Sequence, residues 1–253
     1  MSRAVLVTGG SRGIGAAIAR AFAERGDRVA VHCRDAVATA EVVRDSLTGD
    51  GHVVVRADLA VPAEVRAMVD AAAAGLDGLD VLVNNAGIYL DHPVLGTSYE
   101  EWQAAWQATL GVNLVGAANV TWCAVQQMTA SGQRGGRIVN VGSRGAFRGE
   151  PTHPAYGASK AGLHAFGQSL AVALAPHGIT VASVAPGFVA TDMTTALLAT
   201  TAGDVIRAQS PFGRVAAAEE VAAAVVYLAD DTTFTSGADF LLDGGITGVR
   251  IVD

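Results

Sequence analysis

Apolar stretches alternate with segments of helical spacing along the chain. The stretches AVLVTGG, RVAVHCR, HVVVRADL, LDVLVNNAG, GRIVNVGS and GITVASVAPG are apolar almost throughout, and ADFLLDGG follows as a last short one. Such stretches are typical of strands buried on both faces of a parallel sheet. Helical spacing covers about residues 62–75, 98–130, 154–175 and 217–229. The pattern therefore predicts strands and helices in alternation.

This alternation indicates the fold class. Parallel strands joined by helices need right-handed crossovers, which place helices over the sheet. Because no linker, repeat or low-complexity segment divides the chain, we expect one domain over residues 1–253. The prediction is an α/β fold, a single doubly wound Rossmann-type domain with a parallel sheet of about seven strands and helices on both faces. Residues 188–212 lack a clear period and are expected to form a substrate lid.

Composition narrows the class of protein. Of 253 residues, 51% are hydrophobic and only 16% are charged. No stretch of about 18 consecutive apolar residues occurs, so we expect no membrane span. The N-terminus enters a strand without a signal-peptide hydrophobic region, and two cysteines, Cys33 and Cys123, make no disulfide framework, so we expect a cytoplasmic protein. The net charge is −7 and basic residues are scattered, so we expect no nucleic-acid partner.

A glycine-rich turn leaves the first strand and opens the first helix. In TGGSRGIG, residues 8–15, the glycines let the backbone approach a diphosphate at a helix N-terminus, although a tight connection would also use them. The spacing differs from the general G-x-G-x-x-G fingerprint. The residues expected to contact a dinucleotide here are Gly9, Ser11, Arg12, Gly13, Ile14 and Gly15.

The end of the second strand decides between the two nicotinamide cofactors. A carboxylate there would favour NAD, whereas guanidinium groups would bind the 2′-phosphate of NADP. We take Cys33 as the strand end, so that Arg34 and Arg12 converge on a phosphate. Asp35 lies 20 residues past Gly15, where an NAD-selecting acid is expected, but we interpret it as a helix N-cap or surface residue. NADP(H) is preferred and NAD(H) stays possible.

Two further strand ends would complete the cofactor cleft. Asp58 follows the third strand and either accepts from the adenine amino group or caps the next helix. Its neighbour Leu59 is expected to line the same cleft. NNAG at residues 84–87 ends the fourth strand, so Asn85, Ala86 and Gly87 are expected at the carboxyl edge, where such sheets bind ligands.

The pentapeptide YGASK places Tyr156 and Lys160 on one helix face. Taken alone, it fits an ordinary amphipathic helix. A cation about 5 Å from a phenol is worth roughly 3 kcal/mol, so the spacing predicts that Lys160 lowers the pKa of Tyr156 by about two units. No His or Cys cluster has metal-ligand spacing, and no metal is expected.

Taken in order, the motifs resemble those of the short-chain dehydrogenase/reductase family. They are TGGSRGIG, NNAG, Asn113 in LGVNLVG, Ser143 in VNVGS, YGASK and APGFVATDM, and they span nearly the whole chain. The resemblance is closest to the β-ketoacyl-acyl carrier protein reductases. Two departures are a helix one turn longer than usual between Trp102 and Asn113, and Ala182 where those reductases commonly have Asn.

The resemblance implies a role for each site residue. Tyr156 would be the general acid, Ser143 would bind the same substrate oxygen, and Lys160 would also hold the nicotinamide ribose. Asn113 would link Lys160 to solvent through a water, unless it is only a polar kink residue. Pro186, Gly187, Val189 and Thr191 would contact the nicotinamide end, with Thr191 bonding the carboxamide.

The implied activity is NADPH-dependent reduction of a ketone or β-ketoacyl thioester, a small-molecule carbonyl substrate. The alternatives are an NAD-linked secondary-alcohol dehydrogenase and a non-catalytic cofactor-binding protein. Basic residues near the mouth that could recognise acyl carrier protein are Arg144, Arg148 and Arg207. The resemblance also implies a homo-oligomer, a tetramer, with the helices at about 98–130 and 154–175 in contact.

Overall fold

Seven parallel strands form one sheet, as predicted. The computed structural model describes residues 2–130 and 135–247. The strands of the main sheet are β1 (Ala4–Val7), β2 (Arg28–Cys33), β3 (Val53–Arg56), β4 (Val81–Asn84), β5 (Gly136–Val141), β6 (Ile179–Pro186) and β9 (Asp239–Leu242). Two short strands, β7 (Val189–Ala190) and β8 (Ala216–Ala217), pair with each other.

Helices connect these strands. They are α1 (Gly13–Glu24), α2 (Val37–Asp45), α3 (Pro62–Leu76), α4 (Tyr99–Leu110), α5 (Ala117–Ala130), α6 (Pro154–Leu174), α7 (Asp192–Leu198), α8 (Thr201–Ala208) and α9 (Ala218–Leu228). A π-helical turn, Gly111–Gly116, joins α4 to α5 into the long helix that the sequence predicts over about 98–130. Residues 188–212, which have no clear period in the sequence, contain β7, α7 and α8.

The order of the strands opens a cleft at one edge of the sheet. The order is β3-β2-β1-β4-β5-β6-β9, so the chain builds outward from β1 to β3 and then returns to place β4 on the other side of β1. Connections after β1 and after β4 therefore leave in opposite directions. The crevice between them, at the carboxyl ends of the strands, is where doubly wound sheets bind ligands.

Two apolar layers hold the helices against the sheet. On one face, Ile18 and Phe22 of α1 and Val225 of α9 pack with Val31 and Val184. On the other face, α3 and α5 cover the strands; this layer includes Leu6, Met68, Leu76, Leu82, Val120 and Ile138. Because both faces are covered, the strands read as continuous apolar stretches in the sequence.

The long helix has two properties that bear on the sequence predictions. By length and composition alone, the segment Tyr99–Ala130 is apolar enough to cross a membrane, which is also true of helices that cover a protein core. Val120, Ala124 and Met128 of this helix are buried in the second layer. The ring of Trp102, at the start of this helix, lies 5.8 Å from that of Trp106 and 5.5 Å from that of His92.

Candidate active site

A cavity of about 390 Å³ lies at the carboxyl edge, over β1, β2 and β4. Most of the residues predicted to bind a dinucleotide line it: Gly9, Ser11, Arg12, Gly13, Ile14, Gly15, Arg34, Asp58, Leu59, Asn85, Ala86, Gly87 and Thr191. It is also lined by residues that the sequence analysis did not assign, among them His32, Ala57 and Val112. The remaining predicted contacts lie outside the cavity lining: Pro186, Gly187, Val189, Tyr156 and Lys160.

The floor of the cavity is backbone that accepts no side chain. Gly9 and Gly13 have φ values of +63° and +53°, in the left-handed region that favours glycine. A Cβ on Gly15 would lie 2.1 Å from the Gly9 carbonyl oxygen, so only glycine fits. Helix α1 begins at Gly13 without a side-chain cap from Arg12, and its first N–H groups are left for a ligand.

Two polar residues fix the shape of this loop. Asn85 Nδ2 donates to the carbonyl oxygens of Thr8 and Gly9, at 2.8 and 3.2 Å. Thr8 Oγ1 in turn accepts from the backbone N–H groups of Asn85 and Ala86, at 2.9 and 3.1 Å. Thr8 was missed because a Thr before a glycine loop is indistinguishable from a strand residue in the sequence.

His32 holds the loop from the β2 side. Its Nδ1 accepts from the Gly9 N–H at 2.9 Å, so Nε2 carries the proton and donates to the Ala57 carbonyl oxygen at 3.0 Å. Burial lowers the pKa of His32, which favours this neutral tautomer. The sequence analysis missed His32 because its position inside an apolar stretch carries no sign of a loop contact.

The part of the cavity beside the end of β2, where the sequence analysis expects the ribose, differs in part from the prediction. Cys33 does end β2, and Asp35 is exposed on the surface as expected, but Ala36 rather than Asp35 is the N-cap of α2. Asp35 also lines the cavity and pairs with Arg34, Nε to Oδ2, at 2.5 Å. A third guanidinium, that of Arg56, lies 3.7 Å from Asp35. Arg34 is therefore paired with a carboxylate, which the prediction of two converging arginines did not include.

Asp58 shapes the turn before α3 without capping the helix. Its Oδ1 accepts from the Ala60 N–H at 2.9 Å, and its own N–H donates to Glu64 Oε2 at 2.8 Å. The N-cap of α3 is Val61, so the capping alternative is wrong. Asp58 lines the cavity, where its carboxylate can accept from a ligand donor.

Asn113 is buried at the π-helical turn and ties three elements together. Its Nδ2 donates to the Ile88 carbonyl oxygen at 3.0 Å and to Ser159 Oγ at 3.1 Å. Its Oδ1 accepts from the Ile88 N–H at 2.8 Å. A Cβ on Gly87 would lie 3.3 Å from Asn113 Oδ1 and 3.6 Å from Lys160 Nζ, so the NNAG loop passes directly over both side chains.

Lys160 is buried in α6, one helical turn from Tyr156. Its Nζ donates to the Val141 carbonyl oxygen at 2.7 Å and lies 5.8 Å from the centre of the Tyr156 ring. Burial lowers the pKa of Lys160 to about 8. The i, i+4 spacing thus brings the two groups together, as predicted.

The predicted effect of Lys160 on the phenol is wrong for this chain. Burial raises the pKa of Tyr156, and the neighbouring Ser143 hydroxyl opposes that rise only in part. The prediction counted the attraction between an ammonium and a phenolate but left out the cost of desolvating both ionised forms. The phenol is accordingly held in its neutral form, which is the form that can donate a proton.

Ser143 stands two residues beyond the end of β5. Its Oγ accepts from the Gly145 N–H at 3.0 Å and so starts a short 3-10 turn, Arg144–Ala146. This hydrogen bond uses an acceptor site of the hydroxyl and leaves its proton free to be donated. Beside it, β6 ends at Pro186, and the Gly187 backbone packs on Asp243, where a Cβ would lie 3.1 Å from the Asp243 Cα.

Comparison with known proteins identifies the family. A family model described as enoyl-(acyl carrier protein) reductase matches residues 9–247. The cis-4-hydroxycyclohexanecarboxylate dehydrogenase of Sinomonas cyclohexanicum is 40% identical over 98% of this chain and 97% of its own. The 3-oxoacyl-(acyl-carrier-protein) reductase of a Synechocystis species is 37% identical, with 97% of each chain covered. The crystal structure of a short-chain dehydrogenase from Burkholderia cenocepacia, in complex with NADP, is 35% identical, with a TM-score of 0.86 over 96% of this chain and 97% of its own.

The chain belongs to the short-chain dehydrogenase/reductase family. The resemblance drawn from the six motifs is thereby confirmed, and so is the expectation of an enzyme. The seven-stranded parallel sheet that the sequence predicts is also that of a family structure from Sinorhizobium meliloti, with a TM-score of 0.87 at 31% identity over 98% of this chain and 96% of its own.

A charged cluster beside the phenol of this short-chain dehydrogenase/reductase was not predicted. Arg144 and Glu150 form a buried pair, with Nη2 and Oε1 3.7 Å apart. Tyr89 donates to Glu150 Oε2 at 3.2 Å and lies edge-on to Tyr156, with ring centres 4.7 Å apart. Burial and the adjacent Glu150 raise the pKa of Tyr89, which is neutral as a result.

Two of the arginines proposed for carrier recognition are already engaged. Arg144 is buried, so it offers no surface to a protein partner. Arg207 pairs with Asp204 at 2.6 Å and also donates to the Leu198 carbonyl oxygen at 2.8 Å. Arg148 remains exposed beside the same turn.

Proposed function

We propose that this enzyme transfers a hydride from NADPH to a ketone or β-ketoacyl carbonyl, with Tyr156 as the general acid. The observation that carries the proposal is that the Ser143 hydroxyl and the Lys160 ammonium both neighbour the neutral Tyr156 phenol, next to Gly87 of the cavity lining. A neutral phenol next to a second hydroxyl donor suits a reaction in which negative charge develops on one substrate oxygen.

The cavity fits a dinucleotide on physical grounds. Its glycine floor leaves no room for a Cβ at Gly15, and the uncapped start of α1 faces it, so a diphosphate can approach backbone N–H groups. Asp58 is available to the adenine, and Arg12, Arg34 and Arg56 stand at the ribose end. The relative from Burkholderia cenocepacia is named as an NADP complex, which supports the same cofactor here.

The side chains divide the work around the reacting carbonyl. When bound, the dinucleotide would supply the hydride. Tyr156 gives its proton to the carbonyl oxygen as that oxygen gains charge, and Ser143 donates a hydrogen bond to the same atom. Lys160 is charged below its pKa of about 8 and would hold the ribose hydroxyls. Its ammonium also stands close to the phenol that has lost its proton. Asn113 orients the NNAG loop. After the reaction Lys160 would return a proton to the Tyr156 phenolate, and a water at Asn113 would restore the proton of Lys160 from solvent.

An NAD-linked secondary-alcohol dehydrogenase is the second candidate. Asp35 favours it, because an exposed carboxylate lines the ribose end of the cavity, where it would accept from the 2′-hydroxyl of NAD. The relative from Sinomonas cyclohexanicum is also named as a dehydrogenase of a cyclic alcohol. The pairing of Asp35 with Arg34 and Arg56 favours NADP, because the two guanidiniums offset the negative charge that would repel a 2′-phosphate.

The first experiment measures NADPH consumption with an acetoacetyl thioester. We expect turnover by the wild type and a fall in kcat of about 10²- to 10⁴-fold for Tyr156→Phe. The matched control is Tyr227→Phe on α9, which removes an exposed phenol and should leave kcat unchanged. Turnover that survives in Tyr156→Phe would refute the assignment of the acid. If the wild type binds NADPH without turnover, the acyl substrate is wrong and a panel of ketones follows.

A second experiment tests the cofactor. NADPH should bind more tightly than NADH, and Arg12→Gln should weaken the binding of NADPH without weakening that of NADH. Equal or tighter binding of NADH by the wild type would favour the dehydrogenase candidate.

We also propose that residues 188–212 close over the substrate and that the enzyme is a cytoplasmic homotetramer. A sedimentation mass equal to one 25.6 kDa chain would contradict the tetramer.

A further inference from the structure

A buried ion pair lies beside the proposed acid without touching the reacting atoms. The side chains of Arg144 and Glu150 are only 9% and 10% exposed, and their closest charged atoms are 3.7 Å apart. Burying two charges is costly unless they are paired and hydrogen-bonded. A fold that keeps them next to its active site therefore requires an explanation.

The pair is built into the catalytic loop. Arg144 directly follows Ser143, and a Cβ on Gly145 would lie 2.8 Å from Glu150 Oε1, so the carboxylate packs against the turn that Ser143 starts. The Arg144 guanidinium also lies over the Phe188 ring, 4.8 Å from its centre, where the segment after β6 begins. Both charges are thus held in place by backbone and ring contacts.

Tyr89 connects the pair to the phenol. Its hydroxyl donates to Glu150 at 3.2 Å, its ring meets that of Tyr156 edge-on at 4.7 Å, and its other face stacks on His153 at 3.5 Å. Tyr89 therefore contacts both the Glu150 carboxylate and the Tyr156 ring. Charges separated by protein rather than water interact more strongly.

We propose that Arg144 and Glu150 are positioning residues that act on Tyr156 in opposite directions, Arg144 favouring the phenolate and Glu150 favouring the neutral phenol. The inference rests on the proposed function, in which Tyr156 exchanges a proton with the substrate. The pair lets the chain adjust the acidity of the phenol without altering Ser143 or Lys160.

The charges around the phenol agree with this assignment. Burial is the largest cause of the raised pKa of Tyr156; Glu150 adds to the rise, and Arg144 opposes it. Burial also lowers the pKa of His153, which favours a neutral ring at the stack. Within residues 2–130 and 135–247, other titratable groups packed around this site are Lys160 on the same helix, Asp91 at 3.9 Å from His153, and His92, whose Nε2 accepts from the Ala155 N–H.

The test uses the opposite signs of the two charges. Glu150→Gln keeps an acceptor for Tyr89 and removes the negative charge, so the pH at which Tyr156 ionises should fall. Arg144→Gln removes the positive charge, so that pH should rise. The double variant should lie close to the wild type. The readouts are the pH profile of kcat/KM and the ultraviolet difference absorption of tyrosinate, with Tyr156→Phe in each background as the subtraction.

The outcomes separate this inference from the proposed function. Shifts of the same sign in both single variants, or rates that fall without any shift, would mean a purely structural role and overturn the inference. The absorption titration needs no substrate, so opposite shifts would uphold the inference even if Tyr156→Phe kept its activity and refuted the proposed acid. If Glu150→Gln does not fold, Glu150→Asp keeps the pair but withdraws the carboxylate, and it should shift the profile the same way by a smaller amount.

Discussion

The two ends of the candidate active site are built from different materials. At the cofactor end, the cavity is formed mainly by backbone: left-handed glycines, an uncapped helix start and a loop held by Thr8, His32 and Asn85. At the catalytic end, the neighbours of Tyr156 are buried side chains that carry charge, including Arg144 and Glu150. The cofactor end depends on leaving no room for side chains at its glycines. The catalytic end depends on opposing charges around the phenol.

The difference has a consequence for mutations. At a site made of backbone, an added side chain should cause a large loss of ligand binding or of folding, because neighbouring backbone cannot move aside. A site made of balanced charges should change by degrees and depend on pH, because each substitution alters one contribution among several. Three substitutions test this contrast.

Gly15→Ala should have the largest effect. The added Cβ would lie 2.1 Å from the Gly9 carbonyl oxygen and 2.6 Å from Asn85 Nδ2, so the loop must shift. A cost of about 3 kcal/mol or more would weaken the binding of NADPH by about 100-fold or abolish folding. Fluorescence titration with NADPH and urea unfolding separate these two outcomes.

Gly149→Ala is the matched control, since a Cβ there meets nothing within 4 Å. It should bind NADPH like the wild type and unfold at the same urea concentration. If Gly15→Ala also bound NADPH normally, the cofactor end would not depend on its glycine floor, and the contrast between the two ends would fail.

Local patterns made the cofactor end readable from the sequence. The glycine loop and the apolar strands are short, contiguous signals, and the structure has the strands and helices close to where they were expected. Gly15 illustrates why: backbone with no room for a Cβ requires glycine, and a glycine can be recognised directly in the sequence.

The catalytic end was less readable because it is assembled across the chain. Tyr89, the pair Arg144 and Glu150, and Phe188 come from three separate connections, after β4, β5 and β6. A charged residue such as Glu150 after a glycine looks like a solvated loop position. The error about the Tyr156 pKa has the same origin, since spacing locates Lys160 but says nothing about how deeply both groups are buried. At the π-helical turn, Asn113 likewise contacts Ile88 and Ser159, which are distant in the sequence.

Lys160→Met should change the stability of the fold by less than Gly15→Ala does. It should raise stability but abolish activity. The pKa of Lys160 falls from 10.5 to about 8 on folding, so below pH 8 the native state holds a charged group at a cost of about 3 kcal/mol. Removing the charge, less the lost bond to the Val141 carbonyl oxygen, should stabilise the fold by about 2 kcal/mol at neutral pH while reductase activity is lost.

The pH dependence distinguishes this cause from better packing. Between pH 8 and 10.5 the unfolded state binds more protons at Lys160 than the native state, so the stability of the wild type rises with pH. The advantage of Lys160→Met should therefore shrink across that window. Urea unfolding of both proteins at several pH values measures the difference, and an advantage that stays constant up to pH 10.5 would contradict a desolvated ammonium.

Asp35→Asn should have the smallest effect, because it alters an exposed charge balance at the edge of the backbone site. The carboxylate is paired with Arg34 at 2.5 Å and lies 3.7 Å from Arg56. Its removal frees both guanidiniums for a 2′-phosphate, so NADPH should bind about threefold more tightly, an effect that salt should reduce. NADH should bind no better. Asp45→Asn, which breaks the equivalent neighbouring pair between Arg44 and Asp45 on α2, is the control and should change neither affinity. A gain for NADH, or a loss for NADPH, would mean that Asp35 serves the ribose directly, and the charge balance at this end would then select NAD.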